Sequence, residues 1–123
     1  MNMTAEDFIA ALALQPHPEC GWYRETFNSR PDGETRGAMT AIYFLLKKGE
    51  TSHWHRVTDA DEVWSWIAGG ALAFSRVPPL QDEDDKPEVE QLTIGMNLAA
   101  GEVPQLTVNA GHWQTASARD DFV

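Results

Sequence analysis

The sequence of 123 residues predicts a single all-β domain, a sandwich or a barrel, with one short helix at its start. Three observations support this prediction. Most of the chain divides into short segments rich in β-favouring residues, glycine and proline separate these segments, and only one segment has helical periodicity. At 13.7 kDa the chain has the usual size of one domain. We therefore expect one domain over residues 1–123.

The one helical segment begins near Thr4. Threonine is a favoured N-cap residue, and Asp7 three residues later is a candidate capping-box partner, although a weaker one than the usual Glu or Gln. The segment Gln-Pro-His-Pro at 15–18 ends the helix, because proline lacks an amide hydrogen and moves the preceding residue out of the helical region. The apolar residues that share one face of this helix are Phe8, Ile9 and Leu12.

The rest of the chain favours strands and turns. The predicted strand segments are residues 22–27, 39–46, 62–67, 71–76, 92–96 and 105–108. Residues 68–70, Ala-Gly-Gly, have the composition of a tight turn, so the two segments beside them are predicted to form a hairpin. Residues 28–37 and 78–90 are predicted loops, and the second carries a run of acidic residues that we interpret as a solvated surface.

Composition excludes several functional classes. The chain has 19 acidic and 9 basic residues, a net charge of −10, which argues against nucleic acid and anionic membranes as partners because both need a basic face. Cys20 is the only cysteine, so no internal disulfide can form. No apolar stretch approaches the roughly 18 residues of a membrane span, and the N-terminus lacks the pattern of a secretion signal. We expect a cytoplasmic protein.

Two histidines and a glutamate form a candidate metal site. His53 and His55 are two residues apart, so an extended backbone would point both imidazoles to one side. Glu62, which opens the next predicted strand, could complete a three-ligand set for a divalent metal. The alternative is that these histidines are ordinary residues hydrogen-bonded to their neighbours.

Aromatic residues suggest a ligand pocket. Five tryptophans in so short a chain are unusual, and Glu62, Trp64 and Trp66 alternate on one face of a predicted strand. A pocket with tryptophan walls and one carboxylate would suit a ligand that contains a ring or a sugar. The alternative is that the same tryptophans form the hydrophobic core. Arg24 could bind an anion or pair with a nearby glutamate. The candidate ligand-binding residues are Trp22, Tyr23, Arg24, Trp54, Trp64, Trp66 and Gln114.

Several segments resemble a known family. Gly49, the His53-x-His55 pair, Glu62 and Gly69 resemble the first motif of the cupin superfamily, and residues 101–111 resemble its second motif. The resemblance is more specific to the DUF985, or cupin-5, family. The segments that carry it are residues 16–27, 40–46, 54–57, 61–64, 104–105 and 110–114.

The chain departs from the usual cupin pattern at several positions. Six residues separate His55 from Glu62, more than is usual in cupins, and Gln114 occupies the position of the final histidine ligand, with His112 two residues before it. Ser65 and Cys20 stand where the DUF985 family often has histidine and glycine. These departures weaken the case for a bound metal.

The resemblance implies a double-stranded β-helix, the jelly-roll barrel of cupins, with a short N-terminal helix and a C-terminal end shortened relative to the family. It also implies a homodimer, and an unpaired barrel edge at the shortened end would give a partner subunit a place to pair.

Three functions remain open. The first is binding of a small polar or sugar-like ligand, extending to an isomerase or epimerase with His55 as general base, Glu62 as its partner, Arg24 as an anion clamp and Gln114 as an orienting group. The second is a metal-dependent, dioxygenase-like enzyme that uses His53, His55 and Glu62. The third is a ligand sensor without catalysis.

Overall fold

The computed structural model describes residues 3–29, 39–80, 82, 84 and 86–123. Helix α1 spans Ala5–Ala11, and a 3-10 turn spans Leu98–Ala100. The strands are β1 (Gln15–Pro16), β2 (Trp22–Asn28), β3 (Thr40–Leu45), β4 (His55–Arg56), β5 (Glu62–Ser65), β6 (Leu72–Val77), β7 (Glu90–Ile94), β8 (Gln105–Val108) and β9 (Trp113–Ala118). The predicted all-β fold with one leading helix is confirmed, and its strands have the arrangement of a jelly roll.

The strands form three antiparallel groups in the described part of the chain. Their orders are β1-β2-β3, β4-β9-β6-β7 and β5-β8. The last residues of the chain connect two of these groups: Val123 exchanges backbone hydrogen bonds with Leu46, just after β3, while Phe122 accepts one from Gly70, just before β6. The C-terminal segment is therefore part of the barrel wall.

The predicted hairpin around residues 68–70 is wrong. β5 pairs with β8, Trp64 lying opposite Leu106, whereas β6 pairs with β7 and β9. The turn itself does form, but the chain crosses at that point from one layer of the barrel to the other. It is stabilised from inside by Trp66, whose indole N–H donates to the carbonyl of Gly70 at 2.9 Å.

Helix α1 covers the outside of the β2-β3 pair. Its N-terminus has the predicted capping box: the Thr4 hydroxyl accepts from the amide of Asp7, and the Asp7 carboxylate accepts from the amide of Thr4. The helix packs Ala5 against Leu14 and Leu45, with Phe8, Ile9, Leu12, Trp22, Tyr43 and Phe122 around them. This small outer core packs against the outer face of β2 and β3 and stabilises that pair.

The main core lies between the four-stranded sheet and the β5-β8 pair. Its buried residues are Leu46, Leu72, Phe74, Ile94, Leu106, Val108, Ala116 and Ala118. Successive residues of a strand point to opposite sides, so these positions identify the inner face of each strand.

The two predicted loops have different outcomes. Of the first, residues 28–37, Asn28 belongs to β2 and residues 30–37 lie outside the described residues; the amide of Ser29 donates to the carbonyl of Met39. In the second, the described residues of 78–89 are outside any strand, and β7 begins at Glu90. Over the described part of the chain, no helix has the length and apolar character to cross a membrane.

Candidate ligand-binding site

Four polar residues form a row across the inner face of the four-stranded sheet. His55 on β4 lies opposite Gln114 on β9, Gln114 lies opposite Arg76 on β6, and Arg76 lies opposite Glu90 on β7. Residues directly opposite each other on antiparallel strands project from the same face. Phe74, two residues before Arg76 and 1% exposed, shows that this is the core face. We call these four residues the inner row.

Glu62 and Trp64 supply the opposite wall. They lie opposite Val108 and Leu106, both buried in the main core, so their side chains also point inward. The Trp64 ring makes edge contacts with Phe44 at 5.6 Å and with Phe74 at 5.1 Å between centroids. The aromatic rings therefore bring the β5-β8 layer against the inner row.

Gln114 is held rigidly at the centre of the inner row. Its side chain is 1% exposed, and its Oε1 accepts a 3.0 Å hydrogen bond from the indole N–H of Trp64. That bond fixes the orientation of the amide, so Nε2 is turned away from Trp64. Nε2 is buried and has no hydrogen-bond partner among the described residues. A buried amide nitrogen without an acceptor is costly, so this nitrogen is an unsatisfied hydrogen-bond donor within the site.

Arg76 and Glu90 close one end of the inner row. The Arg76 guanidinium donates to both oxygens of the Glu90 carboxylate, at 2.9 and 3.0 Å, and to the Thr107 carbonyl at 2.7 Å. The hydrogen bond to Glu90 raises the pKa of Arg76, and the same bond lowers the pKa of Glu90. The positive charge at this end is therefore already matched by a negative one.

A cleft of about 610 Å³ opens beside this end, where β7 and β8 are not paired with each other. Arg76, Glu90, Leu92, Leu106 and Thr107 line it, together with His112, whose Nδ1 is buried and has no hydrogen-bond partner among the described residues. The cleft gives a route from solvent to the Arg76 end of the inner row.

His55 occupies the other end and has a fixed tautomer. Its Nδ1 lies 2.7 Å from the backbone carbonyl of His53. A carbonyl oxygen can only accept, so Nδ1 carries the hydrogen and Nε2 of the neutral ring carries the lone pair. Nε2 of the neutral His55 ring can therefore accept a proton or a hydrogen bond.

His17 is a second histidine of the site, and the sequence analysis did not select it. Its Nδ1 accepts a 3.0 Å hydrogen bond from the amide of Glu19, so the neutral ring carries its hydrogen on Nε2. The ring packs edge-on against Tyr23 at 4.7 Å and Phe44 at 5.2 Å. Burial lowers the pKa of His17, and the charge of His55 lowers it further against the opposing effects of Glu19 and Glu62. Both physical causes favour the neutral ring.

A strained turn places His17. The His17 amide donates to the Gly21 carbonyl, and the Cys20 amide donates to the His17 carbonyl. Cys20 and Gly21 both have positive φ, 82° and 87°. A Cβ on Gly21 would lie 2.9 Å from the Leu45 carbonyl oxygen and from atoms of Leu46 and Phe44, so only glycine lets the turn pack this tightly against β3.

The structure does not bring the predicted metal ligands together. No three His, Cys, Asp or Glu side chains within residues 3–29, 39–80, 82, 84 and 86–123 form a group able to hold a metal ion. The His53 side chain is 69% exposed and lies 3.8 Å from the Glu19 carboxylate, because residue 53 precedes β4 and does not share its inner face. His55 and Glu62 do face the interior, but without a third ligand they do not fit a metal centre.

The candidate ligand-binding residues are divided between two faces. Tyr23, Trp64 and Gln114 lie inside with His55 and Glu62. Trp22 packs in the outer core under α1, and Arg24 lies over the Tyr43 ring on that same outer face. Trp54 is 48% exposed. Trp66 packs against the main core, with its N–H committed to Gly70.

Sequence reasoning missed His17 and Arg76 for different reasons. His17 is in a turn, where no alternation of residues indicates its orientation, although the Pro-His-Pro segment around it belongs to the family pattern. Arg76 is at the end of a predicted strand, and only the register of β6 against β9 shows that it adjoins Gln114. Strand alternation alone could have shown that Arg76 shares the inner face of Phe74, but it could not have shown which residue lies next to it.

Comparisons with known proteins agree with this architecture. The family described as "Cupin superfamily (DUF985)" matches residues 6–123. The crystal structure of a protein from Shewanella oneidensis has a TM-score of 0.85 and 36% sequence identity, over 98% of this chain and 73% of that one. A hypothetical protein from Leishmania major has a TM-score of 0.80 and 34% identity, over 98% of this chain and 77% of that one. A comparison with curated proteins found no match. This chain therefore belongs to the DUF985 family of the cupin superfamily.

Proposed function

We propose that the chain binds a small, uncharged, polar ligand of sugar-like chemistry in the barrel interior, beside the hydrogen-bonded pair of Gln114 and Trp64. The observation that carries the proposal is the Gln114 amide, whose Oε1 is fixed by Trp64 and whose Nε2 has no acceptor. A hydroxyl or carbonyl oxygen of a ligand would supply that acceptor.

The other polar groups favour the same kind of ligand. The lone pair of His55 Nε2 accepts from a hydroxyl, and the Nε2–H of His17 donates to an oxygen. Closely spaced groups that donate and accept are what a polyol or sugar offers, while the rings of Tyr23 and Trp64 contribute the apolar walls that such sites use.

Electrostatics argue against an anionic ligand. Glu62 gives the inner wall a carboxylate, and Arg76 is already paired with Glu90. Arg24, the anion clamp expected from the sequence, lies on the outer face over Tyr43, so the geometry does not support that role. A phosphorylated sugar would meet the carboxylate of Glu62 without an unmatched cation beside it.

A binding experiment with matched variants tests the proposal. Uncharged monosaccharides, polyols and trioses are titrated into the protein, and the indole N–H resonance of Trp64 is followed by NMR. We expect at least one of these compounds to shift that resonance in the wild type. Gln114→Leu abolishes the shift, while Gln91→Leu, the same change on β7 at a position opposite Ser75 rather than in the inner row, leaves it unchanged. A wild type that binds none of these compounds overturns the proposal.

The family resemblance also implied a homodimer, which stays a prediction. Light scattering over a range of protein concentrations tests it. A monomer at the highest concentration would contradict it.

A further inference from the structure

The barrel wall is open between β7 and β8. β7 ends the four-stranded sheet, β8 pairs only with β5, and within the described residues no backbone hydrogen bond crosses from one to the other. The gap is closed at one end, where Val103 donates to the carbonyl of Thr93 and accepts from the amide of Gly95. An unpaired strand edge is a template on which another strand can form.

The backbone groups that point into this gap follow from strand geometry. A strand residue directs its N–H and C=O to the same side, and the next residue directs them to the other. The bonded carbonyl of Thr93 points away from β6, so the N–H of Thr93 and both groups of Gln91 also point into the gap. On β8 the carbonyl of Thr107 accepts from Arg76, so both groups of Gln105 face the gap as well. Backbone donors and acceptors therefore line the gap from two sides.

The cleft of about 610 Å³ lies in this gap and also offers places for side chains. Leu92, Val103 and Leu106 give it an apolar wall, and His112 contributes the buried Nδ1 that has no hydrogen-bond partner among the described residues. Neither side chain of the hydrogen-bonded Gln114–Trp64 pair lines it. The cleft is therefore a site separate from the ligand position proposed above.

Charge indicates what kind of chain would occupy the cleft. Residues 82–90, which lead into β7, contain six acidic residues and one lysine. Glu90 is paired with Arg76, while Glu88 is exposed beside the open end of the edge. A second copy that paired β7 against β7 would bring two such acidic segments together, which like-charge repulsion disfavours. A basic segment complements this edge.

We propose that the cleft between β7 and β8 binds an extended basic segment of a partner protein, which adds a strand to the edge of β7. Main-chain hydrogen bonds to Gln91 and Thr93 supply affinity, as in other cases of strand addition. Alternate side chains of the segment point inward and are apolar, because they meet Leu92 and Leu106. In an antiparallel arrangement the C-terminal end of the segment lies beside Glu88, so its basic residues belong at that end.

A synthetic peptide tests the proposal on the full chain. The blocked peptide Thr-Val-Thr-Val-Lys-Lys is titrated into the protein, and NMR follows the hydrogen exchange of individual backbone amides. We expect the bound peptide to slow exchange at Gln91 and Thr93 by about tenfold or more, because their N–H groups become hydrogen-bonded. The matched peptide Thr-Val-Thr-Val-Glu-Glu binds more weakly. Glu88→Gln weakens binding of the lysine peptide by about two- to fivefold, the effect of losing one exposed charge pair.

Two changes at one position separate strand pairing from other modes of binding. Gln91→Pro removes a single N–H that faces the gap, and proline is tolerated on an edge strand when the missing N–H is not part of the existing ladder. We expect it to weaken peptide binding by about tenfold. Gln91→Leu changes the side chain and keeps the N–H, so it is the matched control and binds as the wild type does. A peptide N-methylated at alternate residues makes the same test from the ligand side, without any change to the protein.

Several results would overturn the proposal. One is a wild type that binds neither the lysine nor the glutamate peptide, and another is equal affinity for the two. Binding of the lysine peptide that survives N-methylation also overturns it, even if Gln91→Pro fails to fold, because such binding does not use the strand edge. Protection of the Gln91 and Thr93 amides that appears without peptide and rises with protein concentration would show that a second copy occupies the edge instead. None of these results bears on the ligand proposed for the interior, which the Trp64 resonance reports.

Discussion

Trp64 donates its indole N–H to the Oε1 of Gln114 at 3.0 Å, across the interior from β5 to β9. These two residues are 50 positions apart in the sequence, and they join the two layers of the barrel at the centre of the site. The bond also turns the Gln114 nitrogen away from Trp64, which leaves that donor available for the ligand that we propose.

The first prediction is that Trp64 and Gln114 are energetically coupled. Trp64→Phe removes the indole N–H and leaves Oε1 of Gln114, a residue that is 1% exposed, without its hydrogen-bond donor. We expect this change to lower the free energy of unfolding by about 1–3 kcal/mol. Gln114→Leu alone leaves the indole N–H unpaired, and the double variant Trp64→Phe, Gln114→Leu loses less than the sum of the two single changes. Urea denaturation measures all four proteins, and strictly additive effects would contradict the coupling.

The second prediction concerns the strained backbone at Cys20. Its φ of 82° lies in the left-handed region, a conformation that residues with a Cβ rarely adopt. Cys20→Gly relieves that strain and is expected to raise the free energy of unfolding by about 1 kcal/mol. Cys20→Ala removes the thiol but keeps the Cβ, so it is the matched control and should leave stability nearly unchanged. Equal stability of the glycine and alanine variants would show that the turn is not strained.

The third prediction separates backbone strain from steric crowding at two glycines. Gly21 and Gly49 have nearly the same φ, 87° and 85°, but a Cβ on Gly21 would meet three atoms at 2.9 Å, whereas one on Gly49 would meet nothing within 4 Å. Gly49→Ala is therefore expected to destabilise by about 1 kcal/mol, from backbone strain alone. Gly21→Ala adds an overpacking term of about 1–3 kcal/mol. It should also displace His17 and weaken binding of the proposed ligand. Thermal unfolding measures the change in stability, and the Trp64 resonance measures the change in binding.

Much of the fold could be predicted from the sequence because its signals are local. The Thr4 cap and the 22–27 and 39–46 strands depend on near neighbours, and they occur within a residue or two of their predicted positions. The pairing of β5 could not be predicted in the same way. The glycines at 69 and 70 indicated a turn, but the partner of β5 is set by burial of Trp64 against Leu106, more than 40 residues away.

The candidate site was predicted in part for the same reason. Alternation along β5 correctly placed Glu62 and Trp64 together, but the same reasoning applied to His53 and His55 assumed a strand that begins only at residue 55. His17 enters the site through a turn that depends on the left-handed backbone of Cys20 and Gly21. No residue pattern in the sequence reports the direction of a side chain in such a turn.

The last prediction concerns the pH dependence of stability through His17. The pKa of His17 in the folded protein is lowered from 6.5, first by burial and then by His55, whereas Glu19 and Glu62 act in the opposite direction. Above pH 6.5 the ring is neutral in both the folded and the unfolded chain, so the pH has no effect through this residue. As the pH falls below 6.5, the unfolded chain binds a proton that the folded chain resists, and stability decreases until the folded pKa is passed. Protonation at Nδ1 would also break the hydrogen bond from the Glu19 amide.

Urea denaturation of His17→Gln between pH 7.5 and the acid range tests this sign. The variant should lose less stability than the wild type just below pH 6.5, because its side chain cannot be protonated there. His53→Gln is the matched control, since it makes the same substitution at a histidine whose side chain is 69% exposed. The lowered pKa values of Glu6 and Glu90 also reduce stability in acid, but only near and below their ordinary value of 4.5. A His17→Gln profile that runs parallel to the wild type across pH 6.5 would mean that the ring is as easily protonated in the folded chain as in the unfolded one, contrary to its position against Tyr23 and Phe44.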